Sequence, residues 1–371
     1  MREIRHQVLE QLQSGNGAVL ATVIRKSGSA PQVPGSSALF GLEGLVAGTI
    51  GGGLMEEEIR QIANSSLRTG LSDHYHFNLD DAHGQEGAIC GGKATVLVDA
   101  TPGNHLEVFG KMKEDVSRRR EGCLLTIVTG KGGHGRSICR HWITEETETP
   151  EFPQLPPQVA GVLREELDHL AFRGFREIAI PGLQFPDEVI AYLEPLRPMP
   201  KLVIAGAGHV GKALAHLGGL LHFEVTVIDD RADYANAENV PDADHLIVED
   251  FSTALGSIHP DSDTYIVIVT RGHGHDAEVL KACIGSDAAY IGMIGSYRKV
   301  AHMKGLFLAE GWATPDQWDR IYTPIGLEIN SKSVQEIAIS IVAQLVLVRN
   351  SVRSRDRGSG PTISTKQRSD V

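Results

Sequence analysis

One stretch constrains this chain more than any other: residues 201–229, where KLVIAGAGHVGKALA leads on to EVTVID. The apolar run Lys201–Ala205 passes into Gly206-x-Gly208-x-x-Gly211, then a helical segment, then a second strand run ending in Asp229. The three glycines serve a tight turn, close backbone approach to a pyrophosphate, and close packing of helix on strand. Amides at a helix start, with the helix dipole behind them, attract phosphate. Asp229 follows Gly206 by 23 residues, where an acidic side chain binds ribose hydroxyls. Arg231 leaves an adenosine 2′-phosphate open as the alternative. The plainer reading, glycines kept for packing in a Rossmann-like domain that binds nothing, stays open on spacing alone.

The chain around this fingerprint alternates. Strands are expected at Lys201–Ala205, Glu224–Ile228, His245–Val248, Tyr265–Val269 and Tyr290–Ile294, with helices at Gly208–Leu221 and Asp276–Ile284 and a shorter connection over 230–243. That order specifies a doubly wound parallel sheet. A helix over Ser333–Val348, striped by Val334, Ile337, Ile341, Leu345 and Val348, closes the domain. Before it, a helix over 3–13 precedes short β-rich runs at Ala18–Ile24, Ala38–Phe40, Leu45–Ile50, Lys93–Val98 and Leu124–Val128, with helices at Glu56–Leu67 and Val108–Glu121. The fold class is therefore α/β: an N-terminal mixed α+β domain (1–199, with an acidic, proline-rich loop at 144–157), then a Rossmann-like domain (200–349). Residues 350–371 read as a disordered polar tail.

Ligands of open α/β sheets bind beyond the carboxyl ends of the strands. Strand four runs into Thr270-Arg271-Gly272-His273-Gly274-His275-Asp276, and strand five into Gly292-Met293-Ile294-Gly295-Ser296, with Arg298 and Lys299 close behind. Thr270, Gly272 and Gly295 are candidate cofactor contacts. His273, His275 and Asp276 suit zinc or iron as a ligand set. The simpler reading has Asp276 capping the next helix and the histidines lining a polar pocket.

Glycine is 41 of 371 residues, well above the usual level of about 7%, and the excess continues in the first domain. Gly51-Gly52-Gly53 joins a strand to a helix and offers amides to an anion. It lacks the Lys-Ser/Thr of an ATP-hydrolysing phosphate loop. Ser27-Gly28-Ser29-Ala30-Pro31 is a second polar loop, with Ser29 the candidate contact. Ile89-Cys90-Gly91-Gly92 is a third, and a thiol beside two glycines, just before a strand, reads as accessible. Cys123 and Cys283 sit in apolar surroundings and read as buried; Cys139 is ambiguous.

Composition removes several classes. Lys and Arg total 35 against 47 Asp and Glu, which argues against a nucleic-acid binder held by bulk electrostatics. No apolar run reaches the roughly 18 residues of a membrane span, and MREIRHQVLEQLQSG has no signal-peptide core. Four cysteines without CxxC pairing suit a reduced, cytoplasmic protein.

The motifs ATVIRKSGSAP, GTIGGGLMEEEI, ICGG, KLVIAGAGHVGKALA, VTVIDDR, TRGHGHD, YIGMIGSYRK and PIGLEINSKSVQEIAISIVAQL stand in the order seen in the XdhC/CoxI family, which this chain resembles from about residue 4 to 349. The resemblance implies an accessory protein that binds molybdenum cofactor (molybdopterin), protects it while it acquires its terminal sulfur, and delivers it to a molybdenum hydroxylase apoenzyme such as xanthine dehydrogenase. It implies a sulfur donor as further partner. It makes Cys90 the candidate contact to molybdenum and the loops at Ser27–Pro31 and Gly48–Gly53 candidates for the pterin and its phosphate. The Rossmann domain is expected to bind NAD(P) or another adenine nucleotide, and a homodimer is the default assembly. Two other readings stand beside this one. The chain is an NAD(P)-dependent oxidoreductase using His273 or His275 as acid/base, or a nucleotide-sensing regulator.

Overall fold

The computed structural model describes residues 2–15, 17–28, 32–78, 92–130, 135–146, 151–153, 155–168, 175–178 and 189–356; within these, side chains of 2–6, 54, 273 and 352–356 are left undescribed. The chain forms two compact units, Met1–Pro198 and Met199–Val371.

The first unit runs α1 (Arg2–Gln13), β1 (Val19–Gly28), β2 (Ser37–Gly41), β3 (Gly44–Gly48), α2 (Gly53–Thr69), β4 (Asp73–Asn78), β5 (Gly92–Asp99), α3 (Leu106–Ser117), β6 (Gly122–Thr129), β7 (Ser137–Ile143), α4 (Pro157–Asp168), β8 (Arg176–Ile178) and β9 (Val189–Leu196). Its strands build two antiparallel sheets, β3-β2-β1-β5-β4 and β7-β6-β9-β8. The period-2 alternation of strands explains how both faces are filled. Val19, Ala21 and Val23 of β1 face Met55, Ile59 and Ala63 of α2. Leu20 of β1 instead joins Leu124, Trp142 and Leu196 of the second sheet and Val8, Phe109 and Met112 of α1 and α3. In β6, Cys123, Leu125 and Ile127 pack under Val159 and Leu163 of α4.

The second unit runs β10 (Lys201–Ala205), α5 (His209–Leu220), β11 (Glu224–Asp229), β12 (His245–Val248), α6 (Phe251–Ile258), β13 (Thr264–Ile268), α7 (His273–Cys283), β14 (Tyr290–Met293), α8 (Tyr297–Ala309), α9 (Pro315–Asp319) and α10 (Val334–Asp356). Its five strands are all parallel in the order β12-β11-β10-β13-β14. The sequence runs outward from β10 in one direction and then the other, so the switch point lies between β10 and β13. Both sheet faces are covered, as a parallel sheet requires. Val203 and Ala205 face Leu280, Met303 and Phe307; Leu202 and Ile204 face Leu214, Ile341 and Leu345. Helix α10 carries the expected stripe, and it continues to Asp356, seven residues into the stretch read as tail. Residues 357–371 lie outside the described residues.

Helices α6, α8 and the five-residue α9, the proline-started α4 and the strand β4 are absent from the sequence expectation. Strand β4, DHYHFN, alternates histidine and aromatic residues rather than aliphatics, so no apolar period announces it.

Candidate functional site

The carboxyl edge of the parallel sheet is built by three loops, and the first is the glycine fingerprint. Gly206 has φ +116°, and a Cβ there would stand 2.5 Å from the Val269 carbonyl oxygen. A Cβ on Gly211 would run into the Gly206 carbonyl oxygen. Gly208 is different: its φ is −72° and a Cβ would meet nothing within 4 Å. Two glycines are thus consumed by the fold, while the middle one opens onto free space at the start of α5. That helix has no side-chain cap, so its first amides remain available to an anion. This is the arrangement a bound pyrophosphate needs.

Asp229, at the end of β11, is 1% exposed. Its Oδ2 accepts from the Ala207 amide at 2.8 Å and from Arg231 Nη2 at 3.0 Å. Its Oδ1 accepts from Arg231 Nε at 2.8 Å and from the Arg231 amide at 3.1 Å. Burial alone would push this carboxyl up, but the Arg231 and Ala207 bonds outweigh it and hold the group below its usual value. Arg231 also lies over the Tyr234 ring, 3.7 Å from its centroid. Asn239 Nδ2 ties the segment to the glycine loop through the carbonyls of Tyr234, 2.8 Å, and Ala207, 3.3 Å.

On the other side of the switch point, a polar chain joins the ends of β13 and β14. Thr270 Oγ1 donates to Asp276 Oδ1 at 2.6 Å. Asp276, 1% exposed, pairs through Oδ2 with the Lys299 ammonium, which also donates to the Ile294 carbonyl at 2.9 Å. The cap of α7 is Gly272, so Asp276 is neither the expected cap nor turned toward a ligand set. It is the buried counter-ion of Lys299, a residue the sequence marks only as a nearby cation. His275 rests edge-on against Phe251, 5.6 Å between centroids, with Nδ1 3.6 Å from Glu278. The side chain of His273 lies outside the described residues. Among the described residues no group of three or more His, Cys, Asp or Glu side chains is gathered for a metal. Gly272 is open, with nothing within 4 Å of a Cβ; at Gly295 a Cβ would meet the Lys299 side chain at 3.0 Å and Val300 at 3.6 Å. Gly292 is a packing glycine, its Cβ position 2.5 Å from the Tyr290 hydroxyl and 2.6 Å from Ile325.

In the first unit Gly51, Gly52 and Gly53 have φ of +146°, +98° and +65°, so each one is demanded by the backbone. Space is also present: a Cβ at Gly52 or Gly53 meets nothing within 4 Å, and α2 begins without a side-chain cap. The Gly51 amide is already bound to Thr49 Oγ1 at 3.2 Å, and that hydroxyl donates to Glu56 at 3.0 Å. Ser29 and Cys90 lie outside the described residues. Cys123 and Cys283 are buried, and burial pushes both thiols up to about 12. Cys139 Sγ sits 3.4 Å from His141 Nε2, and burial pushes its thiol up as well. A cavity between the two antiparallel sheets, bordered by Leu20, Ile24, Phe109, Arg140 and Tyr192, measures about 50 Å³. That holds a few waters and is well under the roughly 300 Å³ of a small-ligand pocket.

Strand order, fingerprint and open helix start define the second unit as a Rossmann-type α/β unit, joined in sequence to an antiparallel α+β unit. Residues 202–345 match the XdhC Rossmann domain, and residues 11–78 match the XdhC and CoxI family. The chain belongs to the XdhC and CoxI family. It is 25% identical over 351 residues to a Bacillus subtilis (strain 168) protein named as a probable xanthine dehydrogenase subunit, covering 94% of this chain and 98% of that one. It is 34% identical to YqeB of Escherichia coli (strain K12) over 155 residues, 41% of this chain and 28% of YqeB. A crystal structure described as a xanthine dehydrogenase from Bacillus halodurans shares the fold, with a TM-score of 0.74 at 24% identity over 96% of this chain and 98% of that one. Among the described residues no helix is long and apolar enough to cross a membrane.

Proposed function

We propose that this protein is an accessory protein of a xanthine dehydrogenase-type molybdenum hydroxylase. It binds molybdenum cofactor, shields it during sulfuration by a donor protein, and hands it to the apoenzyme, working as a homodimer in the cytoplasm. The observation that carries the reading is the likeness, over nearly all of both chains, to a relative named for xanthine dehydrogenase. The uncapped start of α2, with open space over Gly52 and Gly53, suits the phosphate end of the cargo. The Cys90 thiol would engage the metal end. The second unit binds an adenine nucleotide at Gly208, where the backbone leaves room for a pyrophosphate.

Protein purified from cells that make molybdenum cofactor is expected to carry substoichiometric pterin, measured by fluorescence after oxidation, and Cys90→Ser is expected to lose it. Equal pterin in both proteins, or none in either, removes the thiol from the account. For the nucleotide, Gly208→Asp should abolish binding by calorimetry, because a carboxylate would then fill the space meant for phosphate. Steady oxidation of NADH or NADPH with a small carbonyl substrate would replace the carrier reading with the oxidoreductase one.

A further inference from the structure

The end of β11 holds more than a ribose-binding acid. An ionised carboxylate has about four lone-pair positions, and Asp229 meets four N–H donors: the Ala207 and Arg231 amides and two from the Arg231 guanidinium. No acceptor position is left for a ribose hydroxyl unless Arg231 is displaced. That guanidinium is fixed along its Nε–Nη2 edge by Asp229 and on one face by the Tyr234 ring. Of its five donors two are taken by Asp229, so three N–H groups remain, on a side chain 25% exposed. Such a held guanidinium is shaped for bidentate capture of a phosphate. The neighbouring acid, Asp230, lies 3.8 Å from Arg231 Nε and is paired with Arg271 Nη2 at 2.9 Å, so its charge is offset.

We propose that Arg231, and not Asp229, reads the ribose, and that the ligand of the second unit is an adenine nucleotide carrying a 2′-phosphate, of the NADP class. The proposal rests on the reading of that unit as a nucleotide site. Asp229 is then a positioning residue: it holds Arg231 and the Ala207 amide in place and touches no ligand.

The test is calorimetric titration of the full chain with adenosine 2′,5′-bisphosphate and 5′-AMP, repeated with NADP⁺ and NAD⁺. The 2′-phosphorylated member of each pair should bind at least about tenfold more tightly, and the preference should shrink as salt is raised. Arg231→Gln should erase the preference by weakening the 2′-phosphorylated probes while leaving 5′-AMP and NAD⁺ within a few-fold. Arg231→Lys, which keeps the charge and loses the fork, should fall between. Thermal unfolding of each variant checks that it is folded. Equal affinities, or tighter binding of 5′-AMP and NAD⁺ by wild type, overturn the 2′-phosphate assignment and leave the nucleotide site standing. Binding of no adenine probe overturns the nucleotide reading and this inference with it.

Discussion

At the scale of single residues, the second unit separates glycines that build from glycines that serve. Gly211→Ala forces a methyl against the Gly206 carbonyl oxygen, and Gly208→Ala places one in open space at an ordinary φ. Gly211→Ala is therefore expected to cost several kcal/mol of stability, in the range of a backbone clash that cannot relax. Gly208→Ala should unfold at the wild-type denaturant midpoint yet bind nucleotide at least about tenfold more weakly. Loss of binding with loss of stability in both variants would contradict the division. A second pair of substitutions probes Lys299. Removing its ammonium leaves the buried Asp276 charge without its counter-ion, with the Thr270 hydroxyl still bonded to it; Lys299→Met should cost about 3–5 kcal/mol, and adding Asp276→Asn should recover most of that. Urea midpoints decide it: a single variant within about 1 kcal/mol of wild type would show the pair to be dispensable. The glycine fingerprint was legible because its spacing is local. The Asp276–Lys299 pair was not, because 23 residues and a whole strand separate two ordinary polar side chains. The saturation of Asp229 needed geometry, since Asp followed by Arg reads equally as ribose or phosphate recognition.

At the scale of elements, the antiparallel sheets of the first unit are joined by polar links as well as by apolar packing. The buried Asp99 at the end of β5 pairs with Arg140 of β7. Arg25 of β1 pairs with Glu177 of β8 at the surface. His74 of β4 lies 3.3 Å from the Tyr192 hydroxyl of β9. Burial first, and then the charge of Arg136, lower the His74 imidazole from its usual 6.5 to about 4. The unfolded chain therefore takes up a proton at this position that the folded chain refuses between those values. Stability should fall as pH drops from about 6.5 towards 4, by at most about 1.4 kcal/mol per pH unit for this group, and be flat above 6.5. His105 and His141 are also lowered by burial, so the informative quantity is the difference from a variant. His74→Gln should show a shallower acid limb in denaturant midpoints measured from pH 4 to 8. An unchanged limb would mean that His74 titrates freely. Period-2 and period-3.6 patterns revealed most elements. They failed for β4 because His74 bonds the Tyr192 hydroxyl of the other sheet and His76 bonds Thr95 of β5, contacts that no hydropathy pattern announces.

At the scale of the whole molecule, each compact unit has its own core. Among the described residues, four clusters of buried side chains belong to residues up to Leu196, and two belong to residues from Leu202 onward. A chain built this way need not unfold in a single step. A ligand that binds one folded unit stabilises that unit by mass action, about 2.7 kcal/mol at a hundredfold excess over Kd. For a unit of this size each kcal/mol moves the midpoint by about 2–4 °C. Scanning calorimetry of the full chain is thus expected to resolve two transitions. Saturating nucleotide should raise one of them by about 5–10 °C and leave the other in place. Gly208→Asp should abolish the shift without merging the transitions, because it blocks the ligand and leaves the core untouched. If nucleotide moves both transitions together, binding at β10 and α5 also stabilises the antiparallel unit. The nucleotide would then act on both units, as the regulator reading requires.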